Sequence, residues 1–309
     1  MNIAVEYIDQ TGATHNQTHR LTRLAFAKHM AFAGQGYRIK PSNIMRTLGM
    51  FFHYSYYLQR QDFYNNNRFS LPPRILSDPT EQNHFSNIAG KAIADFLSKR
   101  IDGSFLTLNY EAVAPRPMRG QRPDLVAFSQ NAVFTLEAKG RQQNNPGNMA
   151  DHKRQASSGN YPRNFSVACV SYNLYNNVMC NYHDPFNENI EYDNEGLRKS
   201  SAKFYDNLSK FINTNYFEVN RVTYQDEKFY EVAFSPDKLF KYFRDFDDYP
   251  FFHHWHHEFF HYFRPRLILP ENIEEYGKNG ITRNTKPFIF DTNENNIYID
   301  NDRIGLRIR

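Results

Sequence analysis

The sequence predicts an α+β protein, and three observations carry that prediction. Apolar residues Phe85, Ile88, Ala89, Ala92, Ile93, Phe96 and Leu97 recur at helical spacing. Strand-like runs follow at Phe105 to Val113, Asp124 to Ser129 and Ala132 to Lys139. A short helix, Asn148 to Ser158, closed by Gly159, then leads into a further strand from Phe165 to Tyr175. The order is helix, three strands, helix, strand, with an N-terminal helical region before it and an α+β extension after it.

In the N-terminal region, residues 18 to 60 read as mainly helical, with Leu21, Leu24 and Lys28 in a first segment. Ser42 is placed to cap a second, from Asn43 to Leu58, and Gly34, Gly36 and Pro41 separate the two. Arg20, Arg23, Lys28, Arg38, Lys40 and Arg46 make the region basic. A helical hairpin with a solvated basic face is the first reading of this region, and a DNA-binding unit of two helices around a glycine turn is the second. The Asn- and Pro-rich stretch Asn65 to Pro79 reads as a linker. Thr80 is placed to cap the long helix, which ends near Arg100. The boundaries expected from this pattern are 1–78, 79–182 and 183–309. In the last unit, helical patterns occupy Leu197 to Ile212, Pro236 to Phe246 and His253 to Phe263, and the chain end alternates like a β-hairpin or meander.

With 309 residues, of which 40% are hydrophobic, the chain can bury a sizeable core as one large domain or two modest ones. Two cysteines, Cys169 and Cys180, are too few for a disulfide framework, and no repeated Cys or His spacing marks a structural zinc site. The first residues lack a basic segment followed by an apolar one, and no stretch approaches the roughly 18 apolar residues that span a bilayer. A cytoplasmic protein without membrane contact is expected. A net charge of +4 is compatible with a polyanionic partner but is too small to demand one.

The chemistry concentrates in RPDLVAFSQNAVFTLEAKGR, Arg122 to Arg141. An apolar strand opens with Asp124, and a second ends in Glu137-Ala138-Lys139. Alternation puts Thr135, Glu137 and Lys139 on one face and Phe134, Leu136 and Ala138 on the core face, so Glu137 and Lys139 are expected to emerge side by side toward solvent or substrate. If the turn is the two-residue loop Gln130-Asn131, Ser129 pairs with Ala132 and Asp124 falls opposite Glu137; a four-residue loop from Ser129 to Ala132 gives the same register, and a three-residue loop places the two carboxylates on opposite faces. Hard divalent cations choose carboxylate oxygens, and an ammonium beside such an ion can orient water and steady charge on a phosphate.

Pro123-Asp124 and Glu137-Ala138-Lys139 resemble the motif of the PD-(D/E)XK, or restriction-endonuclease-like, nuclease superfamily. The element order over Thr80 to Tyr175, about a third of the chain, is similar to that family's core. The resemblance implies Mg2+-dependent hydrolysis of phosphodiesters, with Asp124 and Glu137 as metal ligands, Lys139 beside the attacking water and Mn2+ able to substitute. By analogy with the family, a chain of this length suits a restriction-type or defence nuclease acting on double-stranded DNA, with repair, junction-resolving, transposition-associated and RNA-cutting members open as well, and a homodimer or sequential nicking if both strands are cut. Many members carry an additional acid, for which Glu81 or Glu111 is the candidate. Some place a glutamine on the following helix, which Gln155 matches, with Lys153 and Arg154 positioned to meet phosphates.

A competing motif, His257-Glu258-Phe259-Phe260-His261, fits the HExxH pattern of zinc metalloproteases, with Glu271, Glu274 or Glu275 as third ligand. A third reading is a DNA-binding protein with a nuclease-like core and no catalysis. The intact Asp124, Glu137 and Lys139 argue against it.

Overall fold

The computed structural model describes residues 1–34, 54, 57, 64–71, 78–114, 120–184, 193–213, 217–234, 264–292 and 296–308. Among the described residues it is a mixed α+β structure with two sheets, of seven and six strands. The first twenty residues, expected to belong to a helical region, instead form a β-hairpin. Strands β1 (Asn2–Ile8) and β2 (Thr14–Arg20) pair antiparallel, and Asp9 closes their turn by accepting from the backbone of Thr11 at 2.8 Å and Ala13 at 3.0 Å. The strand β2, THNQTHR, has no apolar residue, so it shows no alternation to read. It is an edge strand and needs only backbone pairing.

Helix α1 (Arg23–Phe32) follows, capped by Thr22, and buries every residue from Ala25 to Phe32. Helix α2 spans Pro79–Ile101. Its cap is Asp78 rather than Thr80: Asp78 Oδ1 accepts from Glu81 N at 2.7 Å, and Pro79, with no N–H to satisfy, takes the first helical position.

Strand β3 (Leu106–Asn109) is shorter than expected, because Asn109 caps a helical turn, α3 (Tyr110–Val113). Next come β4 (Leu125–Phe128), β5 (Val133–Gly140), α4 (Met149–Ala156), β6 (Phe165–Tyr172) and β7 (Met179–His183). The sheet order is β2-β1-β7-β6-β5-β4-β3. The strands β3, β4 and β5 run antiparallel in sequence, and β6 returns parallel to β5 after α4. Apart from the helical turn α3 between β3 and β4, the α-β-β-β-α-β order read from the sequence is present, and β1 and β7 extend the sheet.

On one face, Phe134, Leu136 and Ala138 share a core with Phe85, Ala89 and Ile93 of α2. The approach is backbone to backbone: a Cβ on Gly140 would lie 1.8 Å from Ser86 O, and one on Gly90 would lie 2.4 Å from Lys139 C. On the opposite face Thr135 Oγ1 donates to Ala156 O of α4 at 2.7 Å.

The C-terminal unit begins with α5 (Asn194–Ser209). Its strands are β8 (Phe217–Tyr224), β9 (Glu227–Phe234), β10 (Arg266–Pro270), β11 (Phe290–Thr292), β12 (Ile297–Ile299) and β13 (Gly305–Arg307), with α6 (Ile273–Asn279) after β10. All pairs are antiparallel in the order β11-β12-β13-β10-β9-β8. The terminal meander matches the alternation of the sequence there.

A buried charge cluster joins the two sheets' layers. Lys28 Nζ lies 2.8 Å from Asp300 and 2.6 Å from Asp302, and Lys99 binds the same two carboxylates from α2. His29 Nδ1 lies 2.8 Å from Asp95, and its Nε2 lies 2.8 Å from the Tyr298 hydroxyl. Burial pushes the imidazole below its ordinary pKa, so it is the neutral ring that fits here. Lys28, expected to contact DNA, is fully buried and spends its charge on Asp300 and Asp302. Among the described residues no helix is long and apolar enough to cross a membrane.

Candidate functional site

The β4–β5 hairpin sets the site. Ser129 N donates to Ala132 O at 2.8 Å across the two-residue turn, and Phe128, Ala127, Val126 and Leu125 face Val133, Phe134, Thr135 and Leu136. One further step along that register reaches Asp124 and Glu137. Asp124 N donates to Leu136 O at 3.0 Å, and its Oδ2 accepts from Ala138 N at 3.2 Å. The Asp124 carboxylate therefore rests on the backbone between Glu137 and Lys139.

Glu137 differs from expectation in its exposure. Its side chain is 0% accessible, whereas Lys139 is 33% and Asp124 20% accessible. Alternation predicted the face correctly, but that face of β5 is covered. Among the described residues the partner of the Glu137 carboxylate is the Lys139 ammonium, which forms an ion pair at Oε1. Burial, and then the neighbouring Asp124 charge, push the Glu137 carboxyl up to about 7, against the pull of Lys139 and Lys91. A buried acid in this state gains from any cation that reaches it.

Three further residues here escaped the sequence reading. Lys91 of α2 places Nζ 2.8 Å from Asp124 Oδ1. Arg141 lies with its guanidinium 3.1 Å from His152 Nε2 on α4. Burial, then Arg141 and Lys139, lower the His152 pKa. Arg141 directly follows Gly140 and was visible beside the motif. Lys91 was not, because only the helix-to-strand contact at Gly90 brings it there.

The supporting candidates are dispersed. Glu81 sits in the first turn of α2, ten residues before Lys91 and so about 15 Å away along the axis, with the Tyr57 hydroxyl at 3.5 Å. Glu111 belongs to α3 rather than to a strand end and accepts from Arg122 Nε at 2.8 Å. Gln155 Nε2 donates to Arg122 O at 3.2 Å, which ties α4 to the chain two residues before Asp124. Lys153 donates to Ser166 O, and Arg154 pairs with Asp151 at 3.1 Å on an exposed helix face. Arg20 and Arg23 are exposed. Arg38, Lys40 and Arg46, and the zinc-protease motif His257, Glu258 and His261, lie outside the described residues.

Among the described residues, no group of three or more His, Cys, Asp or Glu is arranged to hold a metal ion. What Asp124 and Glu137 offer is a pair of hard oxygen donors, the set suited to Mg2+, which keeps several of its own waters, and unsuited to a tetrahedral zinc cage. Neither a family model, nor a curated protein, nor a solved structure matches the chain.

Proposed function

We propose that this chain is a metal-dependent endonuclease of the PD-(D/E)XK class, with a restriction-endonuclease-like core, acting on double-stranded DNA. The observation that carries the reading is the Glu137 carboxylate. It is buried and, apart from its ion pair with Lys139, has no polar partner among the described residues, and it falls opposite Asp124 when the β4–β5 register is carried one step past Leu125 and Leu136. Two carboxylates held side by side in a poorly solvated place need cations to balance them, and Lys91 and Lys139 supply that balance in the free protein. The α-β-β-β-α-β order with β6 parallel to β5 supports the same class.

Asp124 and Glu137 would hold Mg2+ or Mn2+. When bound, the ion supplies Lewis acidity to the phosphate and lowers the pKa of water. Lys139 stands at the mouth of the site, where its ammonium can orient a water molecule and meet charge on a phosphate oxygen. Gln155, through Arg122 O, steadies the chain that presents Asp124. A restriction or defence role, a cytoplasmic setting and a homodimer that cuts both strands are part of the proposal.

The test is incubation of the purified protein with plasmid and Mg2+, with the ends mapped by sequencing. Cleavage should need Mg2+ or Mn2+, stop with EDTA, and be lost in Glu137→Gln and Lys139→Met variants that still fold. Full cleavage by either variant would sink the assignment.

A further inference from the structure

Two ammonium groups already match the two carboxylates of the site: Lys91 lies on Asp124, and Lys139 lies on Glu137. Lys91 does not belong to the strand motif. It comes from the turn of α2 whose Gly90 lies against the Lys139–Gly140 backbone, and its stem runs beside Gly34, where a Cβ would sit 3.5 Å from Lys91 Cδ. A divalent cation arriving at the free protein must therefore compete with an ammonium that the fold aims at Asp124 Oδ1.

We propose that Lys91 is a gate on the metal centre. Its ammonium holds Asp124 while no nucleic acid is bound, and a substrate phosphate draws it away, so that metal and nucleic acid load together. The inference rests on the reading of Asp124 and Glu137 as metal ligands. The two lysines are equally accessible, 32% for Lys91 and 33% for Lys139, so the acids decide which yields: Asp124 is 20% accessible and Glu137 0%, and the Lys91–Asp124 pair is the one that a phosphate can reach and open. A phosphodiester provides Lys91 with an alternative anion and adds negative charge beside the two carboxylates. Lys91 is thus a positioning residue, acting through Asp124.

The experiment titrates Mn2+ alone into the protein, following free Mn2+ by electron paramagnetic resonance. The titration is then repeated with a duplex oligonucleotide whose linkages are uncleavable phosphorothioates. Lys91→Gln should bind Mn2+ about tenfold tighter than wild type without DNA, and Lys91→Arg, which keeps the charge, should remain near wild type. With DNA present, wild type should gain affinity and come within about threefold of Lys91→Gln. Asp124→Asn should lose the site in both conditions. Asp124-dependent binding that is equal in wild type and Lys91→Gln overturns the gate and leaves the metal centre standing. No Asp124-dependent Mn2+ binding in any variant, with or without DNA, overturns both.

Discussion

Replacing Asp300 by Asn removes one charge from the buried cluster and leaves its shape almost unchanged. Asp300 accepts from Lys28 Nζ at 2.8 and 2.9 Å and from Lys99 Nζ at 2.9 Å, with the Tyr298 hydroxyl at 3.2 Å. In Asp300→Asn both ammonium groups must share Asp302, and the new amide NH2 has two cations for neighbours. Breaking a buried ion pair from one side costs about 3–5 kcal/mol. Part returns through Asp302, whose carboxyl is pushed up to about 6 by burial and by Asp300 and would ionise fully once that neighbour is neutral. The expected loss is about 3 kcal/mol, a large share of the roughly 5–15 kcal/mol that stabilises a domain. Urea unfolding measures it as a fall in midpoint at constant slope. The charge-balanced double variant Lys99→Met/Asp300→Asn should recover at least half of the sum of the single losses, because fewer unpaired charges stay buried. A single-variant loss under about 1 kcal/mol, or strict additivity in the double, would refute the electrostatic account.

Two further changes test the frame around the site. Asp102 is pushed up to about 7 by burial, and Asp184 to about 8 by burial and then by Asp102. The native state thus keeps protons that the unfolded chain releases near its ordinary 3.8, and stability from this pair falls as pH rises from about 4 to 8. Asp102→Asn, which still accepts from Tyr182, should flatten that fall and raise stability at pH 8 by on the order of 2 kcal/mol in chemical denaturation; an unchanged pH profile would contradict the burial of this acid. Gly140→Ala would drive a methyl group into Ser86 O and should cost more than about 2 kcal/mol by thermal melting, whereas a neutral effect would mean that α2 does not touch β5 there.

The hairpin was legible because its information is local. Apolar alternation in LVAF and VFTL sets the faces, a two-residue turn sets the register, and together they bring Asp124 to Glu137. Alternation says which side a residue faces and is silent on whether that side is covered, so the burial of Glu137 went unread. Lys28 shows the same limit at longer range. On a helix it looks like one more basic residue, and the acids that take its charge stand 272 and 274 positions later. The strand β2 was missed for a different reason, since an edge strand can be held by backbone hydrogen bonds without any apolar side chain.

Helix α2 connects these separate features. Along one 23-residue element it carries Gly90 against β5, Lys91 at Asp124, Asp95 and Lys99 in the cluster with α1 and the loop at Asp300, and Asp102 just past its end at Tyr182. Lys91 and Lys99 are about 12 Å apart along the axis, so the loop at Asp300 bears on the site through a rigid lever little more than two turns long. Through Lys99, the loop at Asp300 thus holds the same helix that carries Lys91, although the C-terminal sheet contributes none of Asp124, Glu137 and Lys139. A substitution at Asp300 can reach Asp124 only by shifting the helix, whereas one at Gly140 reaches it by parting helix from strand. The first should leave the Asp124–Ala138 backbone contact in place and alter the Lys91 ion pair, and the second should disturb both. Amide exchange at Ala138 separates the two routes: it should stay protected in Asp300→Asn under native conditions and lose protection in Gly140→Ala.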